Sequence, residues 1–505
     1  MAKTDLTIEL ADERATAQFG EDLALALRLG DLVTLSGDLG AGKTSLARAL
    51  IRAAADDAEL EVPSPTFTLM QPYENLHFGA LAHFDLYRLV DPRELDELGL
   101  DDALAKGVAL VEWPDKGAIA NSDATLAIRL EVRDDDSRLC TISGNAAALE
   151  RLGRSLEIRH FLDANDRPAA QRRFLTGDAS TRSYETIRHG DGPSIILMNA
   201  PPQPDGPPIR DGKPYSQIAH LAEDMTAFYG VQKILTDAGF RAPQIHVADL
   251  EAGILLIENL GVGAIVDENR NPISERYEAS IDMLVAFHAN AIAHEAGLPD
   301  GTKYSVPPYD GEALAIEVDL LPQWYAEHAL GKPLSAAAYN RFTAIWAGLI
   351  ERLESAEKHL VLRDFHSPNI IWRGDAKGSD RIGLIDFQDA VIGPSAYDVA
   401  ALALDARVNV SEELESSLAD RYCSERTRLG AFDEGAFRAA YAIMGAQRVT
   451  KILGIFVRLS KRDGKHSYLA HLPRMEDYLA RTLRHPALAE LKAWVDEELA
   501  GGRPS

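Results

Sequence analysis

The first part of the chain alternates short apolar, β-rich runs with alanine- and leucine-rich stretches of helical periodicity. The β-rich runs between Leu6 and about Ile158 read LTIEL, LVTLS, AHFDLYRL and VALVEW. Short buried runs predict strands, and their regular alternation with helical stretches predicts a sheet with helices packed on it. We therefore predict an α/β domain over residues 1–158.

A polar segment separates this domain from the rest of the chain. Residues His160–Ala170 are mostly polar and contain Pro168, which is typical of a linker. Two strand-like runs then flank the turn HGDG between Thr186 and Ile196, and six prolines between Pro201 and Pro214 predict a loop. A helical segment is predicted for Ser216–Gly239.

Beyond Leu260 the apolar residues recur at three- and four-residue spacing, which predicts mainly helices. The predicted helical stretches are Met283–Ala296, Ala313–Leu330 and Ala338–Lys358. Strands followed by helices indicate two lobes, which we place at residues 159–260 and 261–505.

Composition narrows the possible function classes. The 505 residues carry a net charge of -26, which disfavours general binding of polyanions such as nucleic acids. Cys140 and Cys423 are not spaced as metal ligands or as a disulfide framework, and acidic residues interrupt the start where a signal peptide needs an apolar stretch. The apolar runs are far shorter than the roughly 20 residues of a membrane helix. We expect a cytoplasmic protein that does not bind membranes.

The sequence GDLGAGKT lies between a predicted strand, Leu32–Ser36, and a predicted helix, Thr44–Ala55. This is the spacing of a phosphate-binding loop, in which glycines let backbone N–H groups point at phosphate oxygens. Lys43 is expected to reach the terminal phosphates, and the Thr44 hydroxyl is expected to ligate Mg²⁺. The predicted nucleotide-binding residues are Gly37, Asp38, Leu39, Gly40, Ala41, Gly42, Lys43 and Thr44.

Two carboxylates close apolar runs of the same domain. Asp85 follows AHF and Glu112 follows VALV. Because ligands of α/β sheets bind beyond the carboxyl ends of the strands, we expect both side chains near the phosphates and the metal. Structural ion pairs are the alternative for each.

The motifs GDLGAGKTSLARAL, VPSPTFTLMQPY, HFDLYRL and LVEWPDK occur in this order and together resemble the TsaE family of small bacterial ATPases over residues 1–155. The resemblance implies that Thr66 senses the nucleotide and that Asp85 and Glu112 handle Mg²⁺ and water. It also implies that Trp113 lies beside the nucleotide. The implied partners are the TsaB and TsaD proteins, which make threonylcarbamoyl-adenosine at tRNA position 37. The chain would then meet tRNA only indirectly, as its acidic charge suggests.

A second constellation lies in the sequence VLRDFHSPNIIW, which is followed by GLIDFQDA. Asp364 can accept the proton of an acceptor hydroxyl, Asn369 can bind a metal, and Asp386 ends a strand where it can bridge Mg²⁺ to phosphates. These spacings predict a site for phosphoryl transfer.

Upstream features fit the same chemistry. The small-residue turn around Ser180, Thr181 and Arg182 lies between two strand-like runs and can cover phosphates, and ILLIENLG resembles a kinase hinge whose backbone from Glu258 to Leu260 would hold adenine. Together with the catalytic constellation, these features resemble the aminoglycoside phosphotransferase superfamily. That resemblance implies that His366 orders the catalytic loop.

Two positions depart from the kinase pattern. The catalytic Asp364 follows Leu362-Arg363 instead of a histidine, and the strand that should end in a phosphate-pairing lysine reads Ile195-Ile-Leu-Met198-Asn199. A missing lysine removes a cation from the phosphates, so an inert kinase relative remains an alternative.

A finer resemblance is to the AmgK family of N-acetylmuramate and N-acetylglucosamine kinases, over about Phe161 to Trp494. It is carried by DASTRSYETIR, ILMNAPP, DFHSPNIIW, GPSAYDVAAL and QRVTKILGIFVRLSKRDGKHSYLAHLPR. It implies transfer of the ATP γ-phosphate to the sugar 1-hydroxyl, with Asp364 as the base. Trp324 and Tyr325 could stack on a sugar ring or belong to the core. An α-helical face with Arg448, Lys451 and Arg458 could bind the lactyl carboxylate or simply face solvent.

The sequence thus predicts a fold of the α/β class, with a P-loop NTPase domain followed by a two-lobed, protein-kinase-like domain of the aminoglycoside phosphotransferase type. The predicted protein is a bifunctional enzyme with two Mg·ATP sites, one for tRNA modification and one for an anomeric sugar kinase. The alternatives for the second part are a kinase of aminoglycosides, choline or other amino alcohols, and an inert binding module. A scaffold that only senses nucleotide is the alternative for the first part.

Overall fold

The computed structural model describes residues 6–175, 182–190, 192–202 and 206–499. The predicted nucleotide contacts Ser180 and Thr181 lie outside the described residues. The strands are β1 Leu6–Leu10, β2 Leu32–Ser36, β3 Met70–Leu76, β4 Gly79–Asp85, β5 Gly107–Glu112, β6 Leu126–Val132, β7 Arg138–Gly144, β8 Gln171–Leu175, β9 Ser183–Arg188, β10 Ile195–Asn199, β11 Ile245–Asp249, β12 Ile254–Glu258, β13 Glu295–Gly297, β14 Lys303–Ser305, β15 Lys358–Val361, β16 Ile370–Trp372, β17 Ile382–Leu384 and β18 Val391–Pro394.

The helices follow the apolar periodicity of the sequence. They are α1 Glu13–Ala26, α2 Lys43–Ala55, α3 Glu94–Glu97, α4 Leu100–Lys106, α5 Ala146–Ala164, α6 Tyr215–Ile218, α7 Met225–Asp237, α8 Ser274–Ala289, α9 Gly311–Val318, α10 Ala326–Leu330, α11 Ala336–Arg352, α12 Ala396–Ala403, α13 Glu412–Leu429, α14 Glu434–Asp463, α15 Leu472–Thr482 and α16 Ala489–Glu498.

The chain divides into two compact units. The first contains residues 1–200 and 254–257, and the second contains residues 201–253 and 258–505. Within the first unit, β1 to β7 form one sheet with the strand order β1-β7-β6-β2-β5-β4-β3. Strands β2, β4, β5 and β6 pair in parallel, so their carboxyl ends meet at one edge of the sheet.

Side chains along the central strands alternate between the two faces of this sheet, and a hydrophobic core lies on each face. On β5, Val108 and Leu110 belong to one core, and Ala109 and Val111 belong to the other. All residues of β5 are buried, as expected for a parallel strand covered on both sides. The α/β domain predicted from the alternating pattern is therefore present.

Capping side chains set where the helices of this unit begin. The Asp12 carboxylate accepts the Ala15 N–H at 2.7 Å and starts α1, and Asn145 accepts the Ala148 N–H at 2.8 Å and starts α5. The latter helix continues to Ala164, so the first residues of the predicted linker are helical. The polar character of that stretch reflects the exposed side of α5.

Strands β8, β9 and β10 form an antiparallel meander in the first unit, with β12 next to β10. The two runs around HGDG are therefore strands, as predicted. The second unit is mostly helical, but the helix predicted for Ser216–Gly239 is wrong as one element. It is divided into α6 and α7, because Asp224 accepts the Thr226 N–H and begins a new helix.

Other helix boundaries in the second unit also differ from the prediction. Helix α8 ends at Ala289 rather than at 296, and the stretch 313–330 is divided into α9, a π-helical turn Leu321–Tyr325 and α10. Pro322 lies in that turn, and its missing N–H prevents a regular α-helical bond there. In the part of the chain that the structure describes, no helix is long and apolar enough to cross a membrane.

Candidate functional sites

The first candidate site lies between β2 and α2. Gly37 has φ 137°, and a Cβ there would lie 2.3 Å from the Leu130 carbonyl oxygen, so only glycine fits. The Lys43 ammonium donates to the carbonyl oxygens of Gly37 and Asp38, both at 2.8 Å. Lys43 therefore lies along the loop that the sequence predicts to bind phosphates.

The predicted carboxylates lie at the carboxyl ends of adjacent strands. Asp85 ends β4 and Glu112 ends β5, and the two are direct neighbours in the parallel register. The Thr44 hydroxyl donates to Glu112 Oε2 at 2.8 Å, which joins the start of α2 to β5. Strand register thus brings both acids to the edge of the sheet where the loop lies.

Asp85 is held by the SPTF segment. The hydroxyls of Ser64 and Thr66 donate to its Oδ2 atom at 2.8 and 2.7 Å, and the Tyr87 N–H donates to its Oδ1 atom at 3.0 Å. Thr66 therefore contacts a predicted metal-site carboxylate directly. The nucleotide-sensing role of Thr66 stays a prediction.

Aromatic and ionic groups surround the Lys43 ammonium. Its Nζ atom lies 3.6 Å from the centroid of the Trp113 ring, a cation–π contact. Burial lowers the pKa of Lys43, and the negative charges of Glu112, Asp85 and Asp38 oppose that change. The tryptophan therefore lies beside the loop, and its contact with the nucleotide stays a prediction.

One buried residue of this site was missed in the sequence. The His83 ring nitrogen Nε2 lies 2.9 Å from Glu112 Oε1, and both side chains are fully buried. His83 precedes Asp85 by two residues on the same strand, so the strand period places them on one face. This two-residue period is the sequence pattern that could have identified His83. His83 fixes the orientation of the Glu112 carboxylate.

The second candidate site lies on the loop after β15. The Asn369 amide donates to the Asp364 carbonyl oxygen at 3.0 Å and to Asp386 Oδ2 at 3.3 Å. The two proposed metal-binding side chains are thus neighbours. Arg363 and Asp386 have φ values of 70° and 59°, and such left-handed residues are common at functional turns.

Two buried acids that the sequence did not single out hold this loop. Asp398 accepts the N–H groups of Leu362 and Arg363 at 2.7 and 2.9 Å, and Asp405 accepts the Ser367 N–H at 2.8 Å. Burial raises the pKa of Asp398 to about 7, although its hydrogen bonds oppose the change. These contacts span more than 30 residues, so no local pattern could reveal them.

Cationic groups surround the proposed base. Burial alone would raise the pKa of Asp364, but the charges of His366, Arg448, Lys451 and Arg363 outweigh it and hold that pKa below its usual range. Arg448 Nη1 lies 3.8 Å and His366 Nε2 lies 3.9 Å from Asp364 Oδ1. The carboxylate is therefore kept ionised and able to accept a proton.

A buried carboxylate organises the cations. Glu317 is fully buried and contacts both Arg363 and Lys451, the latter at 2.7 Å. Burial would raise the pKa of Glu317, but these two cations lower it to about 2. Helix α14 supplies Arg448 and Lys451 to this cluster, so the alternative that this helical face points to solvent is wrong for these two residues.

The remaining predicted residues lie in different surroundings. The Glu258 N–H donates to the Gln244 carbonyl oxygen at 2.8 Å, and its carboxylate pairs with Arg241. Leu260 lies beside Gly383 of β17, whereas Arg182 is half-buried just before β9. Tyr325 is buried and donates to Glu476 at 2.7 Å, which supports the core alternative for that residue.

Both sites fit a nucleotide with a hard divalent cation. Their candidate ligands are hydroxyl, amide and carboxylate oxygens, namely Thr44, Asp85 and Glu112 in the first site and Asn369 and Asp386 in the second. Magnesium commonly takes one or two protein oxygens and completes its shell with phosphates and water. Among the described residues, no group of three or more His, Cys, Asp or Glu side chains is arranged to hold a metal ion.

Two known protein families match the two parts of the chain. The family described as "Threonylcarbamoyl adenosine biosynthesis protein TsaE" matches residues 10–140, and the family described as "Phosphotransferase enzyme family" matches residues 171–432. Both TsaE proteins and kinases of the second family use ATP with a divalent metal.

Individual relatives cover the two parts separately. An N-acetylmuramate/N-acetylglucosamine kinase of Caulobacter vibrioides is 38% identical over 66% of this chain and 94% of its own length. A tRNA threonylcarbamoyladenosine biosynthesis protein TsaE of Rickettsia felis is 38% identical over 27% of this chain and 80% of its own length. Among solved structures, an ethanolamine kinase of Plasmodium vivax covers 66% of this chain and 90% of its own, with 11% identity and a TM-score of 0.43.

Proposed function

Because the chain belongs to the TsaE family in its first part and to the phosphotransferase enzyme family in its second, we propose that it is a bifunctional enzyme. The first part hydrolyses ATP in the modification of tRNA adenosine 37. The second part transfers phosphate from ATP to the anomeric hydroxyl of N-acetylmuramate or N-acetylglucosamine. The observation that carries the kinase assignment is the contact of Asn369 with Asp386 beside the ionised Asp364.

The kinase step follows from the placement of these groups. The acceptor hydroxyl oxygen forms a bond to the γ-phosphorus while the bond from that phosphorus to the β–γ bridging oxygen breaks, and ADP leaves. Asp364 takes the proton of the hydroxyl, and Asn369 and Asp386 would hold Mg²⁺. Bound Mg²⁺ would neutralise charge on the phosphates.

Similarity to known kinases separates the candidate acceptors. The N-acetylmuramate/N-acetylglucosamine kinase of Caulobacter vibrioides is 38% identical to this chain over 94% of its own length. This similarity supports a sugar acceptor over the amino-alcohol alternatives.

Arg458 is a candidate for recognition of the acceptor carboxylate. It lies seven residues after Lys451 on α14, about two turns along the same face, and its guanidinium packs 5.1 Å from the centroid of the Tyr215 ring. Burial lowers the pKa of Arg458, and within the described ranges no carboxylate lies at ion-pair distance from it. We infer that Arg458 pairs with the lactyl carboxylate of N-acetylmuramate.

The first prediction concerns the product and the base. Incubation with ATP and N-acetylmuramate should release ADP and give an anomeric 1-phosphate signal in phosphorus NMR. Asp364→Asn should lower this rate by about 100-fold or more, because general-base catalysis contributes that much. Phosphate at another hydroxyl would exclude an anomeric kinase, and ADP release that does not rise above the sugar-free background would support the inert-module alternative.

The second prediction concerns the sugar carboxylate. Arg458→Gln should raise the KM for N-acetylmuramate about tenfold and leave the KM for N-acetylglucosamine unchanged, because only the former carries a carboxylate. Arg462→Gln, which is exposed and pairs with Asp463 on the same helix, is the matched control. An equal effect of Arg458→Gln on both sugars would contradict carboxylate recognition.

The surroundings of the first site support binding to proteins of the TsaB and TsaD type. Three apolar side chains, each close in sequence to a predicted nucleotide residue, are highly exposed: Leu39, Phe67 and Val90 are 79%, 81% and 91% exposed. Such side chains are available for contact with a partner protein. In cells that lack this domain, the intact chain should restore tRNA modification and Phe67→Ser should not. Restoration by Phe67→Ser would count against this surface.

A further inference from the structure

A cluster of buried charges joins the P-loop domain to the first strands of the kinase part, all within the first compact unit. Arg172 of β8 has a fully buried side chain and donates to both carboxylate oxygens of Glu185 on β9, each at 2.8 Å. Its Nη1 atom also donates to Asp22 of α1 at 2.7 Å and to the Ser155 carbonyl oxygen of α5 at 2.8 Å. One guanidinium thus bonds two strands and two helices.

A second arginine completes the cluster. Arg159 of α5 donates to Asp22 at 3.0 Å, to Glu21 at 2.9 Å and, through Nη1, to the Ala170 carbonyl oxygen at 2.7 Å. Arg159 and Asp22 are almost completely buried. Asp22 therefore pairs with one arginine from each side of the junction.

Two further contacts lie outside the charge cluster. Arg154 of α5 donates from Nε and Nη2 to the Asn199 side-chain oxygen at the end of β10, at 3.0 and 2.8 Å. The rings of His77, after β3, and Phe174 on β8 stack with centroids 4.7 Å apart. All three kinase strands β8, β9 and β10 are therefore tied to the P-loop domain, directly or through a paired neighbour.

The junction is also connected to the P-loop. Helix α2 begins at Lys43, directly after the loop, and α1 packs closely on it at Gly20, where a Cβ would lie 2.6 Å from the Ala49 Cβ. Gly20 immediately precedes Glu21 and Asp22. Helix α2, which follows the phosphate-binding loop, thus contacts helix α1, whose Asp22 accepts a hydrogen bond from Arg172.

Separating these elements would leave buried charges without their partners, which is strongly unfavourable. We propose that the P-loop domain and strands β8 to β10 fold and unfold as one cooperative unit. Nucleotide bound to the P-loop then stabilises the kinase strands by mass action, without any change of shape. The stabilisation by nucleotide rests on the proposed function, because it requires nucleotide binding at the P-loop. The cooperative unit itself does not depend on that function.

Amide hydrogen exchange on the full chain tests the cooperative unit. Ile128→Val shortens a buried side chain on β6, a strand that makes none of the junction contacts described above, and should speed exchange of the slowest β2 amides by about 2- to 12-fold. The slowest β8 and β9 amides should accelerate by the same factor. Acceleration in β2 alone would overturn the proposal, whatever the outcome of the kinase assays.

Nucleotide provides the second arm of the experiment. A slowly hydrolysed ATP analogue with Mg²⁺, at 100 times its Kd, should slow exchange in β2, β8 and β9 by roughly 100-fold. Lys43→Ala should remove this effect and isolates the P-loop contribution from binding elsewhere. Protection of β2 without β8 and β9 would contradict the coupling, whereas failure to protect β2 would contradict nucleotide binding in the proposed function.

Substitutions in the charge cluster test whether it couples strands β8 and β9 to the P-loop domain. Asp22→Asn should make the β8 and β9 amides insensitive to Ile128→Val, and Arg172→Lys, which keeps the charge, provides a milder version if Asp22→Asn does not fold. The matched control is Asp31→Asn, which breaks a pair with Arg151 at 2.7 Å inside the P-loop domain. An equal loss of coupling in Asp31→Asn and Asp22→Asn would overturn the role of the cluster.

Discussion

Arg448 acts on the proposed base through charge rather than through a hydrogen bond. Its Nη1 atom donates to the Arg363 carbonyl oxygen at 2.9 Å and lies 3.8 Å from the Asp364 carboxylate. A nearby cation favours the ionised form of a carboxyl group. Arg448 is therefore a positioning residue that keeps Asp364 deprotonated.

The third prediction follows from this charge. Arg448→Met removes a cation that lowers the pKa of Asp364, so that pKa should rise, and the acid limb of the kcat/KM profile should move to higher pH. Arg448→Lys, which restores a cation, should reverse most of this shift. A uniform loss of rate at every pH would instead indicate a purely structural role.

Among the elements, helices α1 and α2 show how one small residue permits a close approach. Gly20 lies in the middle of α1, where glycine is ordinarily unfavourable. A Cβ at this position would lie 2.8 Å from the backbone carbonyl carbon of Ala49, and backbone cannot move aside easily. The close contact accounts for glycine at this site.

The fourth prediction compares two helical glycines. Gly20→Ala should lower the free energy of unfolding of the first unit by roughly 1–3 kcal/mol, because the methyl group overpacks the contact. Gly153→Ala in α5 is the control, since a Cβ there meets nothing within 4 Å. The control should raise stability by about 0.5–1 kcal/mol, and both values can be measured by denaturant titration. Equal effects would refute the steric explanation.

The proposed function gives the complete chain two nucleotide sites with different designs. The first would use the backbone and Lys43 of a glycine-rich loop, and the second would use the side chains of Asn369 and Asp386. These residues lie in different compact units. We therefore expect nucleotide to bind to each site independently of the other.

The fifth prediction is a stoichiometry. Calorimetry of the intact protein with a Mg·ATP analogue should give two equivalents, and Lys43→Ala should give one, because the lysine serves only the first site. Sugar phosphorylation by Lys43→Ala should remain within a few-fold of the unmodified protein. A single equivalent for the intact chain would contradict two sites.

Local patterns predicted much of this molecule. The P-loop follows from its glycine spacing, and the positions of Asp85 and Glu112 follow from acids that close apolar runs. Helix boundaries were less predictable: the break between α6 and α7 depends on Asp224, a single capping side chain inside a continuous helical pattern. The predicted domain limits and the roles of Ser180 and Thr181 remain predictions.

Contacts between residues far apart in the sequence could not be predicted from such local patterns. The sequence by itself determines the chemistry of each motif, because glycine loops, carboxylate spacing and the strand period involve only a few neighbouring residues. The Asp398 and Asp405 contacts to the catalytic loop, the Glu317 cation cluster and the junction at Arg172 join segments separated by 13 to 150 residues. Their partners are chosen by packing and by the cost of burying unpaired charge, which exist only in the folded chain.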